Sequence, residues 1–150
     1  MSRSKIAKAL GVVGAAFALG ALAQGPASAA TSSWSTSFPT LPSSVCADPV
    51  VIYQGVQATG CLAYGNGKVQ GFAVGVNTSG QTNPLPGVHV GAFIFNTTAT
   101  TCVATSVPNN SVRSCNGTIY SITAGTCADM LGFMTVGDRT TYTPMVRVCA

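Results

Sequence analysis

The chain has little charge to work with. Its 150 residues hold seven Lys and Arg, three Asp, one His and no Glu. A glycosidase built on paired carboxylates needs two acidic groups at a set separation. Asp138 sits in a turn signal and Asp129 faces Arg147 in the hairpin derived below, so Asp48 is left without an acidic partner. The single histidine, His89, has no nucleophile elbow or other local signature tying it to a serine and an acid. It reads as a structural or surface residue, and no catalytic residue is assigned.

Positive charge is as sparse. Arg3, Lys5 and Lys8 belong to an N-terminal leader. Lys68, Arg113, Arg139 and Arg147 then stand against three Asp, for a net charge of +1 over residues 30–150. Nucleic-acid binding needs clustered Lys and Arg, so that partner class is excluded. No two cysteines have the close spacing of a zinc site, and one histidine adds little, so neither a metal nor a cofactor is expected. After the leader no stretch keeps a helical period. Gly65-Asn66-Gly67 therefore reads as a hairpin turn and not as a phosphate cradle, which would need a following helix.

What is present is export chemistry, cysteine and β-forming residues. A basic start, an apolar run from Ala9 to Ala23 and the small-residue site Ala27-Ser28-Ala29 predict a helical secretory signal peptide over residues 1–29. The run is short for a membrane span, which takes about 20 apolar residues. The mature protein is expected outside the cell, free or held non-covalently at its surface, with no membrane insertion. No cysteine follows the leader directly, and no apolar tail closes the chain. Leader and composition fit a bacterial exported protein. The four Asn-X-Ser/Thr matches, at Asn77, Asn96, Asn109 and Asn116, are then chance in a chain rich in these residues.

All six cysteines follow the leader, as expected of three disulfides in an oxidising compartment. Six cysteines allow 15 pairings. Turn signals select among them. Cys46 and Cys61 are centred beside Gly55, Cys102 and Cys115 on Pro108-Asn109, and Cys127 and Cys149 on Asp138. Consecutive pairing, each bridge stapling one hairpin, is the prediction. A bridge closing about 15 residues contributes roughly 3 kcal/mol in the chain-entropy model.

The final stretch shows the sorting most clearly. Folded about Asp138, it sets Cys127 against Cys149, Asp129 against Arg147, Leu131 against Met145 and Phe133 against Thr143. Met130–Val146, Met134–Tyr142 and Val136–Thr140 fall on the opposite, apolar face. Pro144 marks an edge strand or a bulge. Earlier runs predict strands at Val50–Tyr53, Val56–Tyr64, Val69–Asn77, Val88–Phe95, Thr101–Val107 and Gly117–Thr123. In Val69–Asn77, the side carrying Phe72, Val74 and Val76 should face the core. The small side, with Gly71, Ala73 and Gly75, should admit close approach of another segment. Val88–Phe95 is apolar apart from His89 and suits a central strand covered on both faces.

The expected fold is therefore all-β: a small antiparallel sandwich or barrel stapled by disulfides. An extended Ser/Thr/Pro-rich arm, residues 30–45, would lead into a single β-domain over residues 46–150. Function is read as non-enzymatic: binding an extracellular protein or cell-surface component, or contributing to the cell exterior. Inhibition of an extracellular hydrolase and surface assembly are the alternatives. Two candidate contact points follow. The loop Thr78–Gly87 carries Leu85 between Pro84 and Pro86, which could present an apolar anchor on a stiffened backbone. Trp34 in the arm is the second candidate, with packing against the body as its competing role.

Overall fold

The computed structural model describes residues 30–93 and 99–150. The signal peptide expected at residues 1–29, the end of the Val88–Phe95 run and the Asn96 match lie outside the described residues.

Among the described residues, fourteen strands form two five-stranded sheets and two two-stranded ribbons. The first sheet runs β1 (Ala30–Ser33), β8 (Thr100–Val103), β7 (Val88–Ala92), β12 (Gly132–Val136), β13 (Arg139–Tyr142). The second runs β10 (Ser111–Ser121), β5 (Lys68–Asn77), β4 (Val56–Gly65), β2 (Ser43–Cys46), with β3 (Val50–Tyr53) also on β4. β1 lies parallel to β8, and all other pairings are antiparallel. The ribbons are β6 (Asn83–Leu85) with β9 (Thr105–Val107), and β11 (Cys127–Met130) with β14 (Val146–Cys149).

The sheets stack face to face, and the stacking corrects one sequence expectation. On β5 the small side, not the Phe72 side, faces the partner sheet. Val69, Gly71, Ala73 and Asn77 are buried there, and a methyl added at Gly71 would overlap the carbonyl oxygen of Gly91 on β7. The backbones approach too closely for a larger side chain. Phe72 and Val74 point outward and are covered by the chain's own arm.

That arm is built into both sheets. It starts as β1 at the edge of the first sheet, and Trp34 then enters the core. Ser35 exchanges two backbone hydrogen bonds with Ser114 of β10 at the edge of the second sheet. Leu41 next packs with Phe72 on that sheet's outer face, and β2 joins β4 at the far side. The second sheet is thus wrapped by residues 34–46.

The disulfides join Cys46–Cys61, Cys102–Cys115 and Cys127–Cys149. The first and last link directly opposed residues of antiparallel strands. Cys102–Cys115 has a different architecture from the hairpin staple expected of it. Cys102 lies in the first sheet and Cys115 in the second, so this bridge ties the two layers through the core, with both residues fully buried.

The C-terminal stretch keeps the expected register only at its open end, where Cys127, Asp129 and Met130 oppose Cys149, Arg147 and Val146. Nearer the turn the pairs are Phe133–Tyr142, Met134–Thr141, Thr135–Thr140 and Val136–Arg139. Thr143 N donates to Gly132 O at 2.9 Å, so Leu131 on one arm is matched by Pro144 and Met145 on the other. The extra residue sits at Pro144, which cannot donate to a ladder. The turn tightens to the two residues Gly137-Asp138, with Gly137 at φ 60°. The expected pairs Phe133–Thr143, Met134–Tyr142, Val136–Thr140 and Leu131–Met145 do not form. A slip of one residue turns side chains to the other face, and Tyr142 leaves the apolar side for solvent.

Candidate binding surface

The two residues singled out as contact points meet in the core. Leu85 is fully buried, and Trp34 is 5% exposed. A Cβ at Gly75 would lie 2.6 Å from Leu85 Cδ1 and 3.0 Å from Trp34 Cζ3, so both side chains occupy the space that glycine leaves. Trp34 Nε1 donates to the carbonyl of Pro86 at 2.8 Å. The expectation of an outward apolar anchor at Leu85 is therefore corrected. Pairing of β6 with β9 lays the segment onto the body, because burying leucine is worth more than presenting it to water. Pro84 is exposed and Pro86 half-buried, and the Tyr53 hydroxyl donates to the Pro84 carbonyl.

Asn77 organises the rest of this segment. It is fully buried; its Nδ2 donates to Gln81 O at 2.9 Å and Val107 O at 2.8 Å, and its Oδ1 accepts from Ser79 N and Oγ. A buried amide with its hydrogen bonds made serves as a structural clamp.

His89 is on β7, exposed on the outer face of the first sheet. Among the described residues nothing covers that face, where a covered strand was expected; residues 34–46 lie on the other sheet. Its Nδ1 is 2.9 Å from Thr101 Oγ1, and its cross-strand neighbours are Thr101 and Thr135. Asp129 is held by Arg147 in a two-pronged pair at 2.8 and 3.0 Å. The hydrogen bond from Arg147, reinforced by its charge, holds the Asp129 carboxyl below the usual carboxylate range. Among the described residues no group of three or more His, Cys, Asp or Glu could hold a metal.

The open face carries a feature that sequence reasoning missed. Phe93, Phe133 and Tyr142 converge there from three different segments. The Phe93 and Phe133 ring centroids are 4.6 Å apart, those of Phe93 and Tyr142 6.0 Å, both pairs tilted by 33°. Phe93 is 53% and Tyr142 50% exposed. Phe133 lies over Gly91, where a Cβ would be 2.7 Å from its Cε1. Alongside the rings, registers align one row across all five strands: Thr31, Thr101, His89, Thr135 and Thr140. Thr135 and Thr140 share a hydroxyl hydrogen bond of 2.9 Å. The only early signal was the pattern of outward positions on the strands, and it could be used only once the register was known.

Three clefts lie elsewhere. One of about 500 Å³ is bordered by Ile122, Thr126, Ala128 and Met130; one of about 260 Å³ lies between the arm and Phe72; one of about 240 Å³ lies between β3 and the Gly137 turn. Comparison with protein-family models, curated proteins and solved structures finds no match.

Proposed function

We propose that this is an exported, non-enzymatic binding protein that acts outside the cell through the open face of its first sheet. The observation that carries the reading is the cluster Phe93–Phe133–Tyr142. Half-exposed rings grouped on a rigid sheet are costly to keep in water, and contiguous apolar patches mark interaction surfaces. Three disulfides support an oxidising destination and fix the scaffold beneath the rings. Fixed side chains lose little entropy on binding. Among the described residues the arm covers the outer face of the second sheet and no segment covers that of the first.

The test is retention of the secreted, disulfide-bonded protein on isolated cell-envelope material of the producing organism. Wild type should sediment with the envelope, and the double variant Phe93→Ala/Tyr142→Ala should stay in the supernatant with unchanged circular dichroism. Equal behaviour of the two proteins would reject this face as the binding surface.

A further inference from the structure

We infer that the ligand of this face is a neutral, unbranched, β-linked polysaccharide, a deepening that rests on the binding reading above. Three observations on the face converge on that class.

The first is chemical pairing. A pyranose ring in a β-linked chain presents C–H groups on its flat faces and hydroxyls around its edge. Aromatic rings carry a negative π face that attracts polarised C–H groups, and a Tyr adds a polar tip. Phe93 and Tyr142, each about half exposed, offer ring surface of this kind, and Phe133, stacked on Phe93 with centroids 4.6 Å apart, backs the cluster. The adjoining row of Thr31, Thr101, His89, Thr135 and Thr140 supplies donors and acceptors for the sugar edge. Two contacts within that row, Thr135–Thr140 and His89–Thr101, orient its polar atoms in advance while leaving each hydroxyl lone-pair capacity.

The second is repeat length. The row crosses the strands, so successive side chains are spaced by the inter-strand distance of about 4.8 Å. That is close to the advance per sugar of an extended β-linked glycan. One polymer can therefore lie across the sheet with its sugars in step with the strands. None of the three clefts described above includes these rings, which lie on the face of a sheet. It suits a chain and not a small enclosed molecule.

The third is charge. The rings and the threonine row include no Asp, Lys or Arg, which complements an uncharged ligand. Polyanions such as nucleic acids or acidic glycans require clustered cations. The nearest charges in sequence, Asp138 and Arg139, lie at the turn that joins β12 and β13, at the rim of the row.

The experiment uses the secreted, disulfide-bonded protein with microcrystalline cellulose and with chitin in sedimentation assays, and with their soluble hexasaccharides by calorimetry. Heparin is the anionic control. Wild type should sediment with at least one of the two neutral polymers, nearly independently of salt, and should ignore heparin and monosaccharides. Phe93→Ala/Tyr142→Ala should weaken binding at least tenfold without lowering the thermal midpoint, and Thr135→Val should weaken it by a smaller factor. Ring-dependent retention on envelope material without binding to either polymer would overturn the polysaccharide and leave the binding reading standing. Polymer binding that the double variant leaves unchanged would overturn the site. Binding to neither polymer nor envelope would remove both.

Discussion

The indole Nε1 of Trp34 donates to the carbonyl of Pro86 at 2.8 Å, across 52 positions of sequence. This bond fastens the N-terminal arm to the segment that carries Leu85, and both side chains fill the volume above Gly75. The arm and the segment are therefore one structural unit.

That unit sets the first prediction. Leu85→Ala should cost about 2–5 kcal/mol of stability, the range for emptying a buried leucine site. Trp34→Phe should cost at least the ~1 kcal/mol of the hydrogen bond to Pro86 plus the lost ring volume. The two losses should be non-additive because the side chains touch the same site. Denaturant titration of both single variants and the double variant, all oxidised, measures this. Wild-type midpoints for Leu85→Ala would contradict the packing.

The close approach of the sheets sets the second. Gly71→Ala puts a methyl into the Gly91 carbonyl oxygen, and neither backbone can give without disturbing its sheet. Overpacking of this kind costs about 1–3 kcal/mol or more. A thermal midpoint at or above that of wild type would show that the sheets are further apart.

Asn77 sets the third. Asn77→Ala removes the hydrogen bonds to the carbonyls of Gln81 and Val107 and the acceptor for Ser79, for a loss of about 1 kcal/mol per hydrogen bond. Asn77→Asp should be worse, since a carboxylate would face the carbonyls of Gln81 and Val107. Amide exchange in residues 78–87 should accelerate in both variants. Unchanged protection there would assign the ordering of this segment to other contacts.

The Asp129–Arg147 pair sets a pH prediction. The folded-state carboxyl is held below its unfolded value, first by the hydrogen bond from Arg147. Its stabilising contribution is therefore present above the unfolded value and is lost as the pH falls through the folded one. The pair is exposed, so the effect on stability is small. The sharper readout is the Asp129 titration followed by carboxyl-carbon NMR. Its midpoint should rise in Arg147→Gln, and a midpoint that does not move would assign the shift to another cause.

Much of the local architecture was legible. Asn66-Gly67, with φ of 52° and 65°, forms the expected tight turn between β4 and β5. Runs of Val, Ile, Thr, Tyr and Phe lie where strands form. Consecutive cysteine partners, 13 to 22 residues apart, were identifiable from short chain separation, and the hairpin reasoning holds for Cys46–Cys61 and Cys127–Cys149 but not for the inter-sheet bridge Cys102–Cys115.

Local sequence carried the all-β class, the Asn66-Gly67 turn, the longer strand runs and the cysteine partners, because each is set by backbone preference or chain length. β1, β2 and β6 fall in stretches that read as arm or loop and become strands only by pairing with β8, β4 and β9. Tertiary structure decided which face of each strand lies inside. Alternation on β5 defines two sides, but only the distance to the opposing sheet makes the glycine side the inner one. Leu85 and Trp34 read equally well as anchors or as core until Gly75 leaves a cavity for both. Only the residue inserted at Pro144–Met145 turns Tyr142 outward toward Phe93 and Phe133. Contacts between residues distant in sequence depend on register and layer spacing, and no short stretch of chain contains either.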